Sequence, residues 1–463
     1  MSIILADGWL VTMNPRRDVL DGASLLIEGD RIAAIGSRAT LAARAPGAEV
    51  IELDGAIVIP GLVNTHTHLF QTLLKGLGDD MVLKKWFTCM TGPSAVELTE
   101  ADVFAAALHG CIESIRSGVT TLVDFMYAHP RPGLTARVVE AFRLSGMRGH
   151  VCRGFITAGA EFGIPPQLIE TPEAALADAR REIVRQNKPD GRVQVGIAPS
   201  MIWGLDTSVL RGTRALADET GALITTHVSE TDFEIEQARA RFQCTDTEYL
   251  ADIGFLGPDV LAVHCVQCSR RDLRILKHHD VRVSHNPCSN LYLASGVPPV
   301  PDMLATGITV GLGSDGPASS NNHSLFQAMK MAALMQKGLH RDPTVMTADK
   351  VLEMATIDGA RACGLDGSVG SLEPGKKADI AVVGIDHPAM APVHDPVSAL
   401  VYSALGHEVT HVFIDGRPVM RDGRILTVDE PAALKASRHA ADALTQRAGT
   451  GPKRPRPWRS TAF

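Results

Sequence analysis

The stretch Leu62-Val63-Asn64-Thr65-His66-Thr67-His68 decides how the rest of the chain is read. A short apolar run ends in two histidines separated by one residue. In an extended segment residues i and i+2 share a face, so both imidazoles can point at one ion. Seven further strand-like apolar runs follow, at 119–123, 150–153, 193–198, 222–226, 260–263, 281–284 and 308–312. Helical periodicity separates most of them, as at 101–116, 135–144, 172–185 and 209–218. Eight alternating β/α units of this size predict an α/β fold, a (β/α)8 TIM barrel. The rival, a doubly wound open sheet, would be expected to carry G-x-G-x-x-G after its first strand, and none is present.

Outside the barrel the pattern changes at both ends. Strands are predicted at 2–5, 9–13, 23–28, 31–36 and 50–52, punctuated by Asp7-Gly8 and Gly29-Asp30. The last hundred residues return to this style at 379–383 and 411–414, with the hairpin-type pairs Asp415-Gly416 and Asp422-Gly423. Both termini are therefore expected to build one small β-sandwich. The predicted organisation is 1–58 and 367–463 for that unit and its tail, and 59–366 for the barrel.

The chain has 463 residues, 45% hydrophobic and 21% charged, which excludes a largely disordered chain or a coiled coil. A net charge of −7 and 5% aromatics give no footprint for nucleic acid. The one basic cluster, Lys453, Arg454, Arg456 and Arg459, is read as a solvated or packed tail. No apolar run approaches the ~18 residues of a membrane span, and the start shows no signal-peptide pattern. Eight cysteines are too sparse for a disulfide framework, and the lone Cys265-x-x-Cys268 carries little weight. A reducing cytoplasm is the expected compartment.

In such a barrel, chemistry sits where the strands end. His66 and His68 end the first, His227 the fifth, His264 the sixth, and Asp315 follows the eighth in Gly313-Ser314-Asp315-Gly316. An isolated H-x-H is commonly two unrelated histidines, and a lone Asp after a strand is commonly a helix cap. Five such residues, each at the end of a different strand or paired on one, are harder to reach by chance. Three imidazoles and a carboxylate suit Zn²⁺ first and Fe²⁺ second, with a position open for water. Glu230, in His227-Val228-Ser229-Glu230, opens the next helical stretch. It reads either as a helix-start carboxylate beside a Ser229 cap, or as a general acid/base held next to the ion. The adjacent ligand favours the second reading.

With these motifs in place, the chain resembles the amidohydrolase superfamily, in the aminohydrolase/chlorohydrolase branch of nucleoside deaminases, base deaminases and s-triazine hydrolases. The resemblance runs from Pro60-Gly61 through His227-Val228-Ser229-Glu230, Val263-His264-Cys265, Ser284-His285-Asn286-Pro287 and Gly313-Ser314-Asp315-Gly316 to Gly375-Lys376-Lys377-Ala378-Asp379. It implies the barrel with its terminal β-sandwich, and His66, His68, His227 and Asp315 on one divalent metal. It implies that His264 contacts the attacking water or the developing tetrahedral centre. Asp315 would also take the water proton, and Glu230 would protonate a ring nitrogen. Binuclear relatives use a bridging lysine from the third or fourth strand. No lysine lies between Lys85 and Lys188 or between Lys188 and Lys277, so one metal is expected. A homo-oligomer is typical of the family.

The implied reaction is hydrolytic deamination of an amino-substituted N-heterocycle such as an s-triazine, purine or pteridine base. The alternatives are an S-adenosylhomocysteine/methylthioadenosine-type nucleoside deaminase and a triazine chlorohydrolase. Nucleoside deaminases of the branch carry a ribose-binding carboxylate just before a tryptophan, where this chain has Lys85 before Trp86. They also carry a histidine after the proline ending strand four, where Ser200 follows Pro199. Arg153-Gly154 does match them. Gln71 resembles the base and triazine enzymes, in which an amide pairs with ring nitrogens. Trp86, Arg153, His129 and Asn290 complete the expected substrate contacts. Dechlorinating relatives tend to place an amide directly after the strand-eight aspartate; Gly316 stands there, as in the deaminases, so ammonia or an amine is the expected leaving group.

Overall fold

Eight apolar runs fold as eight parallel strands, each hydrogen-bonded to the next in chain order. They are Leu62–Thr67, Val119–Met126, Arg148–Phe155, Val193–Pro199, Ile224–Val228, Val260–His264, Arg282–His285 and Val310–Leu312 in the computed structural model, which describes residues 2–452. The basic cluster at 453–459 lies outside the described residues. Val119–Met126 and Val260–His264 are buried at every position, which is why they read as continuous apolar runs instead of alternating ones. The eighth strand closes on the first where Asp315 N–H donates to His66 C=O at 3.0 Å. At Gly311 a Cβ would run into the Thr65 side chain, so glycine permits that approach.

The covering helices begin where their caps dictate. Glu100–Arg116 starts after Thr99, which forms a capping box with Asp102. Pro172–Gln186 starts after Thr171, with Pro172 in its first turn. Among the described residues no helix is long and apolar enough to cross a membrane.

The termini together form a nine-stranded sheet. Ile57–Pro60 is its pivot, pairing with Ser2–Val11 on one side and antiparallel with Ile380–Val383 on the other. The same strand continues through Pro60-Gly61 into the first barrel strand, so the sheet and the histidine-bearing strand are covalently in line. Leu5, Leu25, Ile27, Val58, Ile380, Val382 and Phe413 build an apolar core for this unit. Asp415-Gly416 and Asp422-Gly423 are two-residue hairpin turns with both φ angles positive, as their composition predicts. Asp7-Gly8 differs from expectation. The pair does not turn the chain but forms an irregularity within one strand, Ser2–Val11, where Asp7 has φ 61° and the register with Val19–Glu28 shifts. The short helix Arg38–Arg44, which the sequence pattern did not mark, packs Leu41 against Ile4, Ala6 and Leu26.

Two contacts lock the terminal unit to the barrel. Arg148, at the start of the third barrel strand, donates to both oxygens of buried Asp379 at 2.7 and 3.1 Å and also pairs with Asp415. The last helix, Glu430–Ala448, lies on the barrel helix Glu100–Arg116 through Arg116–Glu430, His109–Ser437 and Arg447–Asp102. Arg148→Met is expected to cost about 3–5 kcal/mol, because it leaves Asp379 charged and buried without its partner. A thermal midpoint equal to that of the parent protein would refute this.

Candidate active site

The five strand-end residues converge. His66, His68 and His227 each place a ring nitrogen within 4.8 Å of the others, and His66, His264 and Asp315 form a second, overlapping set. Tautomers follow from the partners. His68 Nδ1–H donates to Phe125 C=O at 2.7 Å, and His227 Nδ1–H donates to Ser200 C=O at 2.8 Å. Each Nε2 therefore carries its lone pair into the cluster. Both nitrogens of His66 are buried without a hydrogen-bond partner. Burial holds His66 at a pKa of about 4, and His68 and His227 at about 3, so all three are neutral at physiological pH.

Asp315 faces this set, with Oδ1 3.3 Å from His66 Nε2 and 3.4 Å from His68 Nε2. Burial pushes its carboxyl up, but the imidazoles around it, His66 foremost, pull it well below the usual carboxylate range. An ionised oxygen and the lone pair of His68 Nε2 thus sit side by side with no proton between them. Buried acceptors arranged this way fit a cation, and the donor set suits zinc.

Glu230 is free for chemistry because the helix Asp232–Phe242 is capped by other residues. Glu234 accepts the N–H groups of Glu230 and Thr231, while Ser229 N–H donates to Asp246. The cap reading of Glu230 with Ser229 is thereby replaced. Glu230 Oε1 accepts from Ser295 Oγ–H at 3.2 Å, and Oε2 lies 3.6 Å from His264 Nε2. Burial, then the nearby Asp315 charge, raises its pKa well above the usual carboxylate range, so a proton stays available near neutral pH. Ser229, His264 and Asp315 all have left-handed backbones, with φ of 49°, 73° and 60°. Such non-glycine conformations are uncommon, and three cluster where the strand ends present their side chains.

His68, His227, Glu230, His264 and Asp315 line a cavity that also takes in Gln71, Lys84, Trp86, Tyr127, Ser200, Trp203 and Phe233. Gln71 Nε2–H donates to Tyr127 OH at 3.2 Å, and its Oε1 is buried and unpaired. Trp86 lines the wall and donates from Nε1 to Ala318 C=O at 3.0 Å. Three expected contacts are corrected. Arg153 does not line the cavity; it is spent on Glu170, Asp178 and Gly154 C=O. His129 is also outside it, with Nε2 bonded to Thr135 Oγ1 at 2.9 Å. Asn290 acts one layer back, where its Oδ1 accepts His264 Nδ1–H at 2.8 Å and fixes that ring. Lys85, before Trp86, is not in the wall either; Lys84 is.

Sequence reasoning missed Ser295, Tyr127 and Glu234. Tyr127 directly follows the second barrel strand and was legible by the strand-end rule. Ser295 lies in a loop with no motif, and nothing in the sequence marks it. Gly316 acquires a reason: a Cβ there would overlap Gln71 Oε1. Gly316→Asn is expected to displace Gln71 and lower kcat/KM of order 10²-fold while metal content holds. An unchanged kcat/KM would show that Gln71 does not position substrate.

Comparison with known proteins agrees with this architecture. The pattern of the amidohydrolase family matches residues 57–419. The 5'-deoxyadenosine deaminase of Methanosarcina acetivorans is 38% identical over 447 residues, covering 96% of this chain and 99% of its own. The 5-methylthioadenosine/S-adenosylhomocysteine deaminase of Syntrophobacter fumaroxidans is 36% identical over 440 residues, covering 95% and 97%. Among solved structures, a zinc-bound adenosine deaminase from Xanthomonas campestris superposes with a TM-score of 0.90 at 26% identity, covering 96% of this chain and 98% of its own. This chain belongs to the amidohydrolase family.

Proposed function

We propose that the protein is a hydrolytic deaminase of an amino-substituted N-heterocycle, with one Zn²⁺ held by His66, His68, His227 and Asp315. The carrying observation is Glu230, buried, relieved of capping and set beside His264 at the cation-fitting cluster. A zinc ion there would supply an activated water. Glu230 gives its proton to the ring nitrogen beside the carbon under attack, while Asp315 accepts a proton from the water. Asp315 then passes that proton to the amine, which leaves as ammonia. The new hydroxyl returns a proton to Glu230, the product keeps a carbonyl and a ring N–H, and both carboxyls regain their starting states. Asn290 keeps His264 turned toward the reacting centre. Gln71, with an unpaired buried oxygen, suits an N–H on the substrate ring.

Within this class, adenosine-type nucleosides altered at the 5' position are the favoured substrates. The relatives of 36–38% identity carry that activity in their names. The Lys85 departure loses force because Lys85 does not line the cavity. Ser200 Oγ is buried, lines the wall and has no protein partner, which leaves it available to a sugar hydroxyl. The aromatic wall, with Trp203 and Phe233, suits an apolar 5' substituent over a charged one.

An ammonia-release screen of zinc-replete protein tests both levels. The expected order is 5'-deoxyadenosine and methylthioadenosine first, then amino-purine, pteridine and triazine bases. Release from bases alone would overturn the nucleoside reading. Faster chloride release from a chloro-ring than ammonia from its amino twin would overturn the deaminase reading.

A further inference from the structure

The connection between the paired strands Ile380–Val383 and Val409–Ile414 gathers a second set of metal-type donors, away from the strand ends that carry the barrel cluster. His387 follows the first strand; His407 and Glu408 precede the second. One ligand atom from each lies within 4.8 Å of the others.

Glu408 is the informative member. Its side chain is 0% exposed, whereas those of His387 and His407 are 44% and 59% exposed. Its Oε2 accepts the N–H groups of Leu405 and Gly406 at 3.0 and 2.8 Å, which fixes the carboxylate. Its Oε1 is buried and has no hydrogen-bond partner. Taking a carboxylate oxygen out of water without a donor is costly, and such groups in folded proteins are paired or bind a cation. The neighbours of Oε1 are His407 Nε2 at 3.5 Å and His387 Nδ1 at 3.8 Å. His387 Nδ1 accepts the Ala389 N–H at 3.2 Å, and its single lone pair must exchange that hydrogen bond for an ion. The two rings stand edge-on, with centroids 5.2 Å apart.

We propose that His387, His407 and Glu408 form a second metal site that takes a divalent first-row transition cation, Zn²⁺ foremost. Two imidazoles and one carboxylate are a zinc donor set, and the exposed side leaves room for water ligands. Two nitrogens among three donors disfavour Ca²⁺ and Mg²⁺, which take oxygen. Tetrahedral bonds of about 2.0 Å place neighbouring donor atoms about 3.3 Å apart, close to the separations of Glu408 Oε1 from the two imidazoles. The ion would clip the two ends of the 384–408 connection where Gly384 N–H already donates to Glu408 C=O at 2.8 Å. Its expected role is to hold this connection, with no part in turnover.

The test is equilibrium dialysis of the holoenzyme against micromolar Zn²⁺, with elemental analysis and thermal midpoints. The parent is expected to bind two equivalents. His407→Asn, and His387→Asn with His407→Asn, are expected to bind one, with unchanged turnover. Excess Zn²⁺ should raise the midpoint of the parent and not that of either variant. Asp315→Asn, which weakens the barrel site, should keep this second site. One equivalent in the parent would overturn the proposal. A second equivalent that persists in both variants would overturn it as adventitious binding elsewhere.

Discussion

Glu230→Gln is expected to lower kcat by roughly 10²–10⁴-fold while metal content and thermal midpoint stay near those of the parent. Glutamine keeps the size of the side chain and can still accept the Ser295 Oγ–H hydrogen bond. It cannot release a proton to a ring nitrogen or receive one from the collapsing intermediate. Burial and the Asp315 charge keep the parent carboxyl protonated to higher pH than an ordinary glutamate. That proton is what the substitution removes. Elemental analysis beside steady-state rates separates the cases: lost metal would identify Glu230 as a structural or ligating residue.

Asp315→Asn is expected to have the other large effect, of a different kind. The neutral amide removes the negative charge that faces His66 and His68, and with it the group that the proposed mechanism uses to accept the water proton. Metal occupancy after chelator challenge and kcat should therefore fall together, and added zinc should restore the first more fully than the second. Full activity on zinc saturation would show that Asp315 is only a ligand.

The barrel was legible because its strands are buried on both faces and its catalytic residues must fall at strand ends. That rule singled out His66, His68, His227, His264 and Asp315, and the structure brings these side chains together in two overlapping sets. What failed depended on partners distant in sequence. Arg153 ends among catalytic strands, yet Glu170 and Asp178, from the segment that follows its strand, claim its guanidinium. Asn290 was placed against substrate, although its carbonyl oxygen belongs to His264. Asp7-Gly8 has turn composition, but neighbouring strands on both sides hold it inside a sheet. Composition names what a residue can do; only the packing decides which partner it meets.

The pairing of Ile57–Pro60 with Ile380–Val383 has a consequence for biosynthesis. Val58 lies opposite Val382, so the pivot strand must wait for a partner made more than 300 residues later. At about 5–20 residues per second that delay is roughly 15–60 s. Until then the apolar faces of Val58 and Ile51 have the N-terminal strands Ser2–Val11, Val19–Glu28 and Arg31–Gly36 to cover them, but not Ile380, Val382 and Phe413. The chain thus emerges from the ribosome with an unfinished sheet edge directly upstream of His66. Long-range pairing of this kind slows folding and exposes strand edges to aggregation. The histidine-bearing strand reaches its final anchorage only after Ile380–Val383 has been made.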